Sequence, residues 1–132
     1  MFPITALYAA LCGLLILALS FNVVRYRFGR GVSLGDGGDI RINRAVRAHG
    51  NAVEYVPLAL ILIGLLEGNN GNAWALNLYG LLLVLGRLAH AWGMAGPGSE
   101  VNSFRKLGIV ATWAVLLAAS VHLLVIVGLY RG

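Results

Sequence analysis

The chain has 132 residues, of which 59% are hydrophobic and 11% charged, and its mean hydropathy is +0.82. Soluble domains carry about 25% charged residues, so this composition excludes an ordinary water-soluble protein. Ten basic against five acidic side chains give a formal charge of +5, but the bases lie beside or within apolar segments. Nucleic acid is therefore not expected as a partner, and anionic headgroups or an anionic ligand fit the charge better. The apolar runs do not alternate as a β-barrel requires. The length accommodates four spans of about 20 residues with short connections. A single cysteine, Cys12, rules out an intrachain disulfide and a cysteine-based metal cluster.

A first span is expected over about residues 3–28. The amino-terminal MFPIT lacks the Lys or Arg of a secretory signal, and the run ends in Arg25, Arg27 and Arg30. VSLGDGGD, residues 32–39, is turn-rich, and Asp39 is placed to cap a second helix over about 40–67. That helix opens with polar turns and contains Pro57, which removes a backbone bond to Val53 and should bend it. EGNNGN, residues 67–72, marks a reversal into a third helix over about 73–95. GPGSEVNS, residues 96–103, separates it from a fourth over about 103–130. Arg25, Arg27, Arg30 and Arg41 lie at the first connection, and Arg105 and Lys106 follow the third, whereas the other side has only Arg131, so the positive-inside rule puts those two loops in the cytoplasm and both termini on the other side.

On a helical wheel Arg44, Arg47, Asn51 and Glu54 fall within roughly 80° of each other, with Tyr55 at the edge. Arg87, His90 and Met94 share a stripe of the third helix, and Arg105, Gly108 and Thr112 a face of the fourth. An arginine at the centre of a membrane helix costs about 2.5–3.5 kcal/mol on insertion scales, so these groups are expected to converge on an interior or intersubunit cavity. Arg87 can bridge to Glu54 there or meet a ligand directly. Arg27, Arg30, Arg41 and Lys106 suit headgroup contacts, and His122 suits a packed core position. Gly64 and Gly68 form a GxxxG pair, a signal for close helix packing. Three histidines on separate segments do not form a metal motif.

RAVRAHGNAVEYVP, residues 44–57, resembles the second-helix signature of the MAPEG family, the membrane-associated proteins in eicosanoid and glutathione metabolism. The likeness extends to GRLAH, residues 86–90, and to Arg105 in FRKLGIVATW, and the short chain is most similar to the small bacterial members. It implies an all-α, four-transmembrane-helix protomer in a bacterial inner membrane, assembled as a homotrimer, with glutathione as co-substrate between subunits. Under it, Arg47, Asn51, Glu54 and Tyr55 hold the tripeptide, together with His49, Arg25, Arg87 and His90, and Arg105 activates the thiol. The implied activity is glutathione transfer to a hydrophobic electrophile or reduction of a hydroperoxide, with the apolar substrate arriving from membrane lipid. Met94, Lys106 and Ile109 differ from hydroxyl-bearing residues of some members. A non-catalytic cavity for an anionic metabolite or headgroup remains open. Small four-span transporters carry a carboxylate in the first span, which is absent here.

Overall fold

The computed structural model describes residues 1–95 and 102–130. Within them the chain forms four helices, α1 (Pro3–Phe28), α2 (Ile40–Gly68), α3 (Ala73–Ala95) and α4 (Ser103–Tyr130), each long and apolar enough to cross a membrane. Most of the connection between α3 and α4, Gly96–Val101, lies outside the described residues, as do Arg131 and Gly132.

Each helix start is satisfied locally. Asp39 accepts from Arg41 N at 2.7 Å, Asn72 from Trp74 N at 2.9 Å, and Asn102 from Arg105 N at 3.0 Å, so side-chain oxygens answer the free amides of α2, α3 and α4. At α1, Pro3 occupies the first turn, and the Glu67 carboxylate accepts from Ile4 N (2.9 Å), Thr5 N (2.8 Å) and Thr5 Oγ1 (2.6 Å). One acid at the end of α2 thereby caps the start of α1. α2 runs through Pro57 without interruption and ends at Gly68; just beyond it Asn70, with a φ of 58°, allows Gly71 N to close on Leu66 O at 2.8 Å. In the first loop, the Asn43 amide and then Gly38 N–H hold the Asp36 carboxyl below its ordinary range. Asp39 is lowered first by Arg41 N–H and further by the Arg30 charge that it pairs with.

Small residues set the packing. α2 turns a stripe of Ile42, Ala45, Ala48, Ala52, Val56, Ala59, Ile63 and Leu66 inward. α2 and α3 form the inner pair; both touch α1 and α4, and α1 and α4 do not touch each other within the described residues. The core gathers Cys12, Val56, Leu76, Leu83, Val115 and Ala119. The GxxxG pair on α2 faces the start of α1, with Gly64 near Thr5 and Gly68 near Phe2. Gly80 accommodates the Tyr8 ring, whose hydroxyl donates to Asn77 O and Oδ1, each at 3.1 Å. α3 and α4 approach still more closely. A Cβ on Gly108 would collide with Gly86 O and stand 2.6 Å from His90 N.

Two tryptophans mark the bilayer. Trp74 and Trp92 are 76% and 72% exposed and lie on one face of α3, about 27 Å apart along its axis. That spacing matches a hydrocarbon core of about 30 Å, with indole rings at both interfaces.

The glycine contacts are expected to separate two equivalent-looking changes. Gly108→Ala should destabilise the detergent-solubilised protein by about 1–3 kcal/mol, through overpacking against α3. Gly13→Ala, whose Cβ would meet nothing within 4 Å, should be neutral or stabilising by up to about 1 kcal/mol. Thermal unfolding of both variants checks this.

Candidate functional site

The polar residues of α2 divide between two faces. Arg47 and Glu54 continue an outward stripe with Ile40, Leu58, Ile61 and Leu65, all exposed on the protomer. Asn51 lies at the flank of that stripe, half-buried, where it reaches α3.

There it meets Arg87, which is 1% exposed. Arg87 Nη2 donates to Asn51 Oδ1 at 2.7 Å, and Nη1 donates to Thr112 Oγ1 at 3.4 Å. Thr112 Oγ1 itself donates a hydrogen bond to Gly108 O at 2.8 Å, leaving its oxygen free to accept from Arg87. A single guanidinium thus ties α2, α3 and α4 together. The bridge from Arg87 to Glu54 expected from sequence is not formed within the protomer. Asn51 sits level with Arg87, whereas Glu54 is one turn deeper and on the outward stripe. Among the described residues, no carboxylate pairs with Arg87 or with Glu54's neighbour Arg47.

This contact fixes the chemistry of Asn51. A guanidinium only donates, so the amide oxygen of Asn51 must point inward and its Nδ2 is left as the outward donor. Asn51 therefore suits an acceptor on any ligand, such as a carboxylate or carbonyl oxygen.

Around this hub lie other residues of interest. Tyr55, half-buried, and the buried Cys12 are close enough to interact electrostatically with Arg87. His90 is 3% exposed and feels both Arg87 and Arg105. His90 Nδ1 and Arg87 Nε are buried without a hydrogen-bond partner among the described residues, two polar atoms that a protein normally satisfies. Arg105 is half-buried in the first turn of α4. Its backbone is held by Gly93, because a Cβ there would stand 2.5 Å from Arg105 N, and Asn102 Nδ2 donates to Gly93 O at 2.9 Å.

Arg25 is placed apart from the hub. It is exposed, donates to Asn22 Oδ1 at 3.0 Å and lies 5.1 Å from the Tyr26 ring centroid, where it lines a cavity with Arg41 and Arg44. His49 is half-buried. The sequence placed Thr112 on a face of the fourth helix without giving it a partner, and it did not single out this cavity. The only hint of Thr112 was its place one turn beyond Gly108 on the Arg105 face.

Depth follows from the tryptophan gauge. Arg87 is five residues from Trp92, about 7.5 Å inside the interface, which puts Glu54 about 12 Å inside, near the middle of the span. An exposed carboxylate at that level would cost about 3 kcal/mol against lipid. A partner surface or a polar ligand removes that penalty.

Removing one side of the hub should be worse than removing both. Asn51→Leu leaves a buried guanidinium under-satisfied and is expected to destabilise by at least about 3 kcal/mol. Adding Arg87→Met to the same chain should recover part of that loss, as a double-mutant cycle of thermal stabilities would show.

The MAPEG family model matches residues 5–125. The chain is 41% identical over 114 residues to the inner membrane protein YecN of Escherichia coli strain K12, an alignment covering 86% of this chain and 85% of that protein. YecN of Escherichia coli O6:H1 matches with the same identity and coverage. No solved structure matches the chain. With a family match running from α1 through most of α4 and a relative at this identity over most of both chains, the protein belongs to the MAPEG family.

Proposed function

We propose that the protein is a glutathione transferase or glutathione-dependent peroxidase of the bacterial inner membrane, with its site completed between copies of the chain in a homotrimer. The observation that carries this reading is the outward stripe of α2, where Arg47 and Glu54 face away from their own bundle, Glu54 near the hydrophobic midplane and Arg47 about two turns nearer the interface, beside the donor amide of Asn51. A second copy covering that stripe would shield the charges from lipid and enclose a polar ligand. The printed name of the YecN relatives supports the inner membrane, and the basic connection between α1 and α2 supports a cytoplasmic position for the site.

The residue types fit glutathione. Its carboxylates suit the guanidinium of Arg47 and, by family resemblance, Arg25 from the neighbouring copy, with His49 and Tyr55 as further polar contacts. Its ammonium suits Glu54. Asn51, with its oxygen held by Arg87, donates to a carboxylate or carbonyl, and the unpartnered Nδ1 of His90 offers one more polar contact.

The co-substrate supplies a thiol, which at neutral pH is only about a few per cent thiolate when free in solution. Arg105 holds a fixed positive charge at the start of α4 and would stabilise negative charge on the sulfur, releasing its proton to water. The low dielectric around the hub strengthens that interaction. Arg87 acts as a positioning residue, because it orients Asn51 and joins the helices that carry the contacts. The apolar outer faces of α2 and α4 give a hydrophobic electrophile or hydroperoxide a route from the bilayer.

A second reading is a cavity that binds an anionic metabolite or lipid headgroup without turnover. Met94 favours it, since this position, 7% exposed and bordering the basic end of the bundle, provides no hydroxyl near a reacting sulfur.

Ultraviolet difference spectra of the detergent-solubilised protein titrated with glutathione separate the two. The transferase reading expects a saturable thiolate absorbance that Arg105→Ala abolishes while oligomer mass is unchanged. Glu54→Gln should weaken binding about 10- to 100-fold, the loss of one charge-assisted contact. Binding by calorimetry with no thiolate signal supports the non-catalytic reading.

A further inference from the structure

We infer that Trp113 of one copy donates its indole N–H to Glu54 of the next, so that α4 covers the outward stripe of α2 where copies meet. This rests on the reading that a second copy covers the stripe, and it names the surface that does so.

Trp113 departs from the pattern of the other two tryptophans, which stand at the two interfaces. Ala111 lies against Gly86, and Trp113 is two residues further along α4, level with Val84 of the antiparallel α3. Val84 is eight residues from Trp92, so Trp113 lies about 12 Å inside the interface. It is 54% exposed there, and among the described residues no acceptor meets its indole nitrogen. An N–H turned toward hydrocarbon finds neither water nor headgroup to bond.

Glu54 stands at the same depth, one turn below Asn51 and its contact with Arg87. Its carboxylate needs donors, and the indole needs an acceptor. Other outward surfaces supply no donor at this level. Gly64, ten residues beyond Glu54, lies near Thr5, so the matching stretch of α1 is around residue 15, where Leu14 and Leu17 are exposed. On α3 the exposed side chains of this level are Leu81, Leu82 and Leu85. Asn51 and Tyr55 are half-buried in their own bundle. Among the described residues, Trp113 is thus the exposed side chain at the depth of Glu54 that carries a donor.

Copies inserted in one direction and related by an axis along the membrane normal hold equivalent residues at equal depth. In a ring of three the contact is heterologous, so the stripe of one copy meets a different surface of the next. α4 is suited to be that surface, because it runs parallel to α2 from the basic end of the bundle. Arg105, Ile109 and Trp113 follow one edge of it at successive turns, so the flank that presents Trp113 also brings Arg105 to the contact. Two turns nearer the basic end, the same alignment sets Lys106 beside Arg47, two cations that the proposed anionic ligand would lie between. The indole occupies one oxygen of Glu54 and leaves the other for an ammonium. Leu107, about 120° around α4 from Trp113, stays toward lipid, so an apolar substrate keeps its route.

The test co-expresses Glu54→Cys and Trp113→Cys chains carrying different affinity tags, in a Cys12→Ala background and in membranes. An indole joined to a carboxylate holds the two Cα atoms too far apart for a disulfide, so the probe is a short bifunctional methanethiosulfonate. A covalent product carrying both tags is expected, with none when Leu85→Cys replaces Trp113→Cys. Equal product from the two pairs would overturn the contact. In a Trp74→Phe, Trp92→Phe chain, the ultraviolet resonance Raman band that reports indole hydrogen bonding should show a bonded N–H, and Glu54→Leu should abolish it. A free N–H in the parent chain, or a bonded one unmoved by Glu54→Leu, would overturn the hydrogen bond. Native mass spectrometry reads assembly independently. Intact oligomers without the mixed product would overturn the α2 to α4 contact and leave a site between copies standing, whereas monomers alone would overturn both.

Discussion

A guanidinium cannot be left in the interior of a membrane bundle without hydrogen-bond acceptors, and Arg87, 1% exposed, finds them in two neutral side chains on two other helices. Burial of an unpaired charge is costly enough that this geometry constrains everything around it. Asn51 must present its oxygen to Arg87, Thr112 must turn its proton to Gly108, and Gly86, Gly93 and Gly108 must stay small so that α3 and α4 remain close enough for the contacts. The hub sets the register among α2, α3 and α4, while α1 docks separately on α2 and α3 through Tyr8, Cys12 and the Glu67 cap.

The same register determines which charges remain outside. With Asn51 drawn toward α3 and the alanine stripe of α2 packed inward, Arg47 and Glu54 have nowhere to go but the outer surface. A charged pair of opposite sign there, one member near the midplane, is poorly suited to lipid and well suited to a polar contact between copies. The positive hub behind it keeps the region cationic, and this favours an anionic ligand whatever its identity.

Much of this was legible in the sequence, for reasons that can be stated residue by residue. Four apolar runs separated by glycine- and asparagine-rich turns define the spans, and Asp39 stands where a capping oxygen is needed. Spacing alone also grouped Arg44, Arg47, Asn51 and Glu54 on one arc. What spacing could not reveal is which edge of the arc meets α3. Both faces of a membrane helix are apolar, so periodicity does not distinguish neighbour from lipid, and the 40° or so that separates Asn51 from Arg47 is decided by packing. For the same reason Arg87 looked equally suited to Glu54, and only the relative heights of α2 and α3 assign it to Asn51. The basic-end cavity was not legible because its lining comes from three helices, and spacing along one helix does not say which residues of another lie beside it.

The central claim is that the outward stripe of α2 is covered by protein in the membrane. Leu58 lies one turn beyond Glu54 on that stripe, and Leu85 shares the outer face of α3 with Trp74 and Trp92; both are about half exposed on the protomer, at 53% and 52%. Nitroxide labels on Leu58→Cys and Leu85→Cys, in a Cys12→Ala background reconstituted in lipid, can be compared for collision with membrane-dissolved oxygen by electron paramagnetic resonance. Oxygen access at position 58 well below that at position 85 is the expected result. Equal access at the two positions would mean that the stripe faces lipid, and the site between copies would have to be abandoned.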